Sequence, residues 1–182
     1  PIPQPQPVPT FPEPAYTTDI TVTSSTDPTQ SPSETCYSAP LAGQSATAPC
    51  TLRRAIVEAR SLPANERPVL ISFAIPVTDT GYSAAEDAWK IRIENAAGNE
   101  ALRALTGSDI TIDGTTQRDN VQGRVNGPPI ILETGPNANV RLSLGEIASD
   151  RNYILRGMDF QGVPVSVVSS KSLVEQNWLG LS

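Results

Sequence analysis

Six short apolar segments recur along this chain at nearly constant spacing: LISF from Leu70, KIRI from Lys90, ITID from Ile110, IILE from Ile130, YILR from Tyr153 and LVEQ from Leu173. Their steps are 20, 20, 20, 23 and 20 residues. Each is rich in Ile, Leu or Val and is followed by turn signals such as Gly98-Asn99, Asp113-Gly114, Gly135-Pro136-Asn137 or Gly157. VRLSL (140–144) and VSVV (165–168) add further short strands between the later members. A fixed period of this size is the signature of stacked windings, each covering the apolar side of the one before. The expectation is an all-β chain folded as a parallel β-helix, a solenoid whose inward aliphatics stack from coil to coil. A β-sandwich also spaces its strands regularly, but rarely holds one step so closely.

Against this background CTLRRAIVEARS, residues 50–61, stands out as a helix. Leu52, Ala55, Ile56 and Ala59 fall at i, i+3, i+4 and i+7 and make one apolar stripe. Thr51 is placed to cap its start, and Leu62-Pro63 to stop it. Arg53, Arg54, Glu58 and Arg60 turn away from the stripe. Three turns are too few to stand alone in water, so the helix must lie on something. The first winding of a solenoid exposes unpaired strand edges and the end of its apolar column. The helix is therefore expected to be an N-terminal amphipathic cap over that opening. YTTDITVTSS (16–25) alternates like a strand before it.

Cys36 and Cys50 are the only cysteines, and histidine is absent. Two thiols cannot make a four-ligand zinc site, and their spacing is not that of a redox pair. A disulfide between them, closing a Ser/Ala/Pro-rich loop, implies an extracellular or cell-surface location. Without histidine, serine–histidine and cysteine–histidine catalysis are excluded. The net charge of -6 argues against nucleic acid as a partner, since an acidic surface gains nothing from phosphate counterions. No apolar run is long enough for a transmembrane segment. Prolines crowd residues 1–14, with Pro1, Pro3, Pro5, Pro7 and Pro9 alternating, as in a stiff arm or a single added edge strand. The organisation expected is an arm or linker at 1–15, a strand, disulfide loop and capping helix at 16–65, and β-helix coils at 66–182.

Cys50-Thr51-Leu52-Arg53-Arg54-Ala55-Ile56 resembles the C-[ST]-L-R-x-A-I signature of bacterial secreted and surface β-helix repeat proteins with a pectin-lyase-like fold. Ile71–Pro76, Thr111–Gln117, Leu155–Phe160 and Asn177–Gly180 are similar to later elements of that family, in the same order. The resemblance implies a right-handed coil. Family members run on through further rungs, so this chain reads as the N-terminal part of a longer solenoid or as one whose uncapped C-terminal end stacks on another subunit.

The resemblance also implies a test for polysaccharide chemistry, which needs paired carboxylates or calcium and an aligned base. Asp109, Asp113, Glu133, Asp159 and Glu175 are the acidic candidates, with Arg92, Arg141 and Arg156 as basic partners. No pair recurs at matched positions of neighbouring repeats, and Asp113 sits in an Ile-Asp-Gly corner where a carboxylate commonly binds turn amides. Trp89, Phe160 and Trp178 have the flat faces that stack on sugars, but isolated aromatics more often pack. No catalytic, cofactor-binding or metal residues are assigned, and no cofactor is expected. The expected role is a structural or adhesive surface component. Its partners would be a protein or a second copy, held through the arm and the uncapped end, or a surface polysaccharide. The alternative is a pectate-lyase-like lyase or glycoside hydrolase with its active residues on coils beyond this chain.

Overall fold

A computed structural model describes residues 12–27, 36, 49–93, 102, 104–120, 127–135, 140–146 and 151–180. Strand β1 (Thr18–Val22) is followed by helix α1 (Leu52–Ser61) and β2 (Val69–Phe73). Then come β3 (Tyr82–Ser83), β4 (Ala88–Ile93), β5 (Ile110–Asp113), β6 (Ile130–Thr134) and β7 (Leu142–Leu144). The last are β8 (Tyr153–Arg156), β9 (Met158–Gln161), β10 (Val165–Val167), β11 (Ser172–Glu175) and β12 (Trp178–Gly180). They form three sheets, ordered β1-β2-β5-β8-β11, β12-β9-β6-β4-β3 and β10-β7. Every pairing is parallel except β3 with β4.

The expected all-β class is thus corrected: the described residues make a mixed α/β fold, with three mostly parallel sheets of short strands and one α-helix. The twenty-residue solenoid is overturned with it, and the pairing shows why. Val69 pairs with Ile110, two repeats on, and Trp89 pairs with Ile130 in a different sheet. One step of the repeat therefore carries the chain from sheet to sheet. Only the last two repeats, in β8 and β11, are direct neighbours. The lid role of the helix is likewise unsupported. Instead α1 lies beside β1 and β2, and Leu52, Ala55, Ile56 and Ala59 are buried within the common core.

Register builds that core. Ile20, Ile71, Ile112 and Leu155 are successive partners across the first sheet, and all are fully buried. Ile91, Leu132 and Phe160 do the same in the second. Burying each such side chain contributes about 1.5–3 kcal/mol. The aliphatic, β-branched content that makes these segments strands also supplies the inward packing.

At the helix start, the Thr51 hydroxyl accepts from the Arg54 amide at 3.3 Å. At its end, Arg67 donates to the carbonyls of Ala59 at 2.8 Å and Leu62 at 3.0 Å. The same guanidinium reaches Ser108 O at 2.6 Å, which ties the helix end to the loop before β5. These bonds satisfy carbonyls that no helical amide can reach. The other face of the helix anchors its surroundings: Arg53 grips Asp27 at 2.6 Å and Arg60 bonds Thr106 at 3.1 Å. Glu58 accepts the Cys36 amide at 2.8 Å, and Cys36 is joined to Cys50 by a disulfide.

Candidate functional site

The outer face of the first sheet carries a dense polar cluster centred on Arg156. Outward positions alternate with the core column, so Thr111 and Asp113 on β5 and Ile154 and Arg156 on β8 share that face. Residues 12–17 cross it. Arg156 donates to Glu13 through both terminal nitrogens, at 2.7 and 2.8 Å. It also donates to Asp113 Oδ2 from Nε at 2.9 Å and Nη2 at 2.7 Å. Glu175 lies 4.0 Å away. The Tyr16 hydroxyl donates to Glu13 at 2.7 Å and lies 3.2 Å from the Thr111 hydroxyl. Between the crossing segment and the sheet is a groove of about 430 Å³ whose walls include Pro12, Pro14, Pro68, Ile154 and Lys171.

These contacts set the charges. The hydrogen bond with Glu13, together with Asp113, holds the Arg156 guanidinium above its ordinary value against the cost of burial. Arg156 in turn holds the Glu13 carboxyl below the usual 4.5. Burial pushes the Tyr16 hydroxyl up to about 12. Because the folded value of Glu13 is the lower one, the clasp is fully present above pH 4.5 and is lost as pH falls through that depressed value. Glu13 is half exposed, so the contribution is screened to about 1 kcal/mol or less. Hydrogen-exchange protection of the Thr17 amide, which bonds Pro68 O, should accordingly fall up to about fivefold in Glu13→Gln at neutral pH. In the parent chain the same fall should appear only on acidification.

The segment Thr111–Gln117 spends its polar groups on the fold. Asp113 Oδ1 accepts the Thr115 amide at 2.9 Å and its hydroxyl at 2.5 Å, so both carboxylate oxygens are engaged. The Thr116 hydroxyl accepts the Phe73 amide. The buried Gln117 amide pairs with Ile75 N at 2.9 Å and Ile75 O at 3.0 Å, in the manner of a strand. Asn177 does likewise at the opposite corner, accepting from Met158 N and donating to Leu155 O. Gly157, between β8 and β9, has φ 68°, a conformation glycine adopts without strain.

The remaining candidates are dispersed. Asp109 accepts from Asn152 at 2.7 Å, Glu133 lies 3.8 Å from Arg92 in the second sheet, and Asp159 accepts from Gln161 at 3.1 Å. Arg141 is exposed ahead of β7. Trp89 and Phe160 are buried core residues, whereas Trp178 lies on the outside of β12 against Gly127. Of the acids, only Asp113 and Glu175 are brought to one basic residue, Arg156.

Two participants were not evident from sequence. Glu13 sits in a proline-rich run that gives no hint of an ion pair. Asp79 collects both hydroxyls of Ser24 and Ser25 and the amides of Ser25 and Gly81. Burial pushes its carboxyl up, but those donors outweigh it and hold the value down. Its signal was the Asp-Thr-Gly turn, where an Asp side chain commonly binds the amide two residues on. No family model, no curated protein and no solved structure matches this chain. Among the described residues, no helix is long and apolar enough to cross a membrane, and no group of acidic or sulfur ligands is arranged to hold a metal ion.

Proposed function

We propose that this chain is a non-catalytic structural or adhesive component acting outside the cell, at a cell surface. One observation carries the reading. Among the described residues six large apolar side chains are left exposed, and five of them (Val167, Val168, Val174, Trp178 and Leu179) lie on β10, β11 or β12 or on the residue just after β10. Apolar side chains left open in this way are covered by further protein, whether a later part of the same polypeptide or a partner. The polar clusters, by contrast, bind the chain to itself. The Cys36–Cys50 disulfide supports an oxidising location, where such bonds persist. The likeness of residues 50–56 to a signature of bacterial secreted and surface proteins points the same way.

The competing reading, polysaccharide cleavage, is tested with purified chain and polygalacturonate as the probe. Retention on the polysaccharide or on cells without turnover is the expected result. Product release that Asp113→Asn abolishes would overturn the proposal.

A further inference from the structure

Residues 12–16 lie on the first sheet without joining it. Pro12 and Pro14 have no N–H, and the other amides and the carbonyls of this segment bond no backbone group among the described residues. Backbone pairing begins at Thr17, whose amide donates to Pro68 O at 2.9 Å and whose hydroxyl donates to Arg67 O at 3.0 Å. From Thr18 on, β1 is paired with β2 through five residues. Upstream of Thr17 the hold is made by two side chains, Glu13 on Arg156 and Tyr16 on Thr111. None of residues 12–16 is itself buried, and the groove of about 430 Å³ beside them shows that they bridge the sheet surface more than they pack on it.

What they cross is nevertheless sealed. Leu70, Thr111, Ile154 and Leu173 are register partners across β2, β5, β8 and β11, and they share the outer face. Thr111 is 2% exposed and Ile154 7%, whereas Leu70 and Leu173 on either side stay half-buried. The cover is local to the two positions that share the groove with Pro12 and Pro14.

We propose that residues 12–16 are a strap that lifts from the sheet as a unit, hinged at Thr17, while all three sheets stay folded. Lifting bares an apolar strip, Leu70, Ile154 and Leu173, beside the Arg156 guanidinium. Three features keep its cost low. No backbone hydrogen bond is broken. Arg156 keeps its two bonds to Asp113, from Nε and Nη2, so no charge is left alone on the sheet. Glu13 is already half exposed and returns readily to water. Burial of Ile154 and a screened ion pair are what remain to hold the strap down. On those terms it is up in roughly one molecule in thirty to one in a thousand. Unfolding of a whole domain is rarer, at roughly one molecule in several thousand or fewer. A segment with so few buried contacts opens ahead of the sheets beneath it.

Thr111→Cys in the full chain, with the Cys36–Cys50 bridge intact, sets a free thiol under the strap. Its rate of alkylation by iodoacetamide reads how often the strap is up. The rate is expected to be roughly 30- to 1,000-fold below that of a short cysteine peptide. It should change little with urea below the unfolding transition, because lifting five residues exposes little surface. Ile112→Cys, at the fully buried neighbouring position, should instead label with the steep urea dependence of global unfolding. Adding Glu13→Gln should speed the labelling of Thr111→Cys up to about fivefold. If Thr111→Cys loses the near-ultraviolet circular dichroism of the parent, Ile154→Cys takes its place beneath the same strap. A urea dependence as steep as that of Ile112→Cys would mean that the strap rises only when the sheets unfold, and overturns the proposal. Alkylation as fast as in the peptide, or a rate indifferent to Glu13→Gln, overturns it as well.

Discussion

Trp89→Ala is expected to destabilise the chain by about 4 kcal/mol, a fall of roughly 10 °C in Tm for a chain of this size. Trp89 stands in β4, paired with Ile130, and is 1% exposed. Its truncation removes the largest of the fully buried side chains and leaves a void bounded by strands on a shared core, which cannot collapse freely. It also removes the indole donor to Pro76 O at 3.1 Å and the ring that meets Tyr82 at 4.9 Å. Trp89→Phe separates the two losses, since it keeps most of the volume but leaves the Pro76 carbonyl with the Asp79 amide as its one donor. Urea denaturation followed by circular dichroism should place it between parent and alanine variant. If Trp89→Ala unfolds at the parent midpoint, the packing described around β4 is wrong.

The second large effect is expected from the cysteines. Replacing Cys36 and Cys50 together by serine should cost about 3 kcal/mol, the loop-closure contribution for a bridge with this span. Cys36 and Cys50 are 14 residues apart, and Glu58 on α1 separately accepts the Cys36 amide. The serine pair should therefore lose the constraint on the unfolded chain while keeping one anchor in the folded one. Adding Glu58→Gln weakens that anchor, and the two changes together should exceed their sum, because each holds the same segment to the helix. Equal denaturation midpoints with and without reductant would show that the bridge contributes nothing.

Much of this architecture was legible in the chain itself, segment by segment. Five of the six repeated tetrapeptides lie wholly in strands, and the sixth, LVEQ, does so up to Glu175, because short β-branched runs between turn residues have few other ways to fold. The helical stripe was readable for the same local reason, and Leu52, Ala55, Ile56 and Ala59 are buried together. Two thiols without zinc or redox spacing leave a disulfide or a pair of buried free thiols, and the structure has the disulfide. What could not be read was which strand neighbours which. A twenty-residue step is compatible with one closed winding or with passage between two sheets, and apolar content is the same in both. The partners Val69–Ile110 and Trp89–Ile130 decide for the second. The cap expectation follows from the solenoid expectation and falls with it, since no local signal says what an amphipathic face lies against. Glu13 was missed because an ion pair across the sheet leaves no periodic trace. Asp113, read as a turn-binding carboxylate, does that and more, since its second oxygen serves Arg156.

The clasp on Arg156 joins residues 143 positions apart in the chain. A growing polypeptide emerging from the ribosome exposes Glu13 and Tyr16 long before their basic counterpart exists, and β1 before β2. Hydrophobic strand edges then wait unpaired during translation, and such distant closures are slow to form. Glu13 and Tyr16 are thus made long before they are fastened, which leaves nascent chains stalled before Arg156 open to proteases and chaperones.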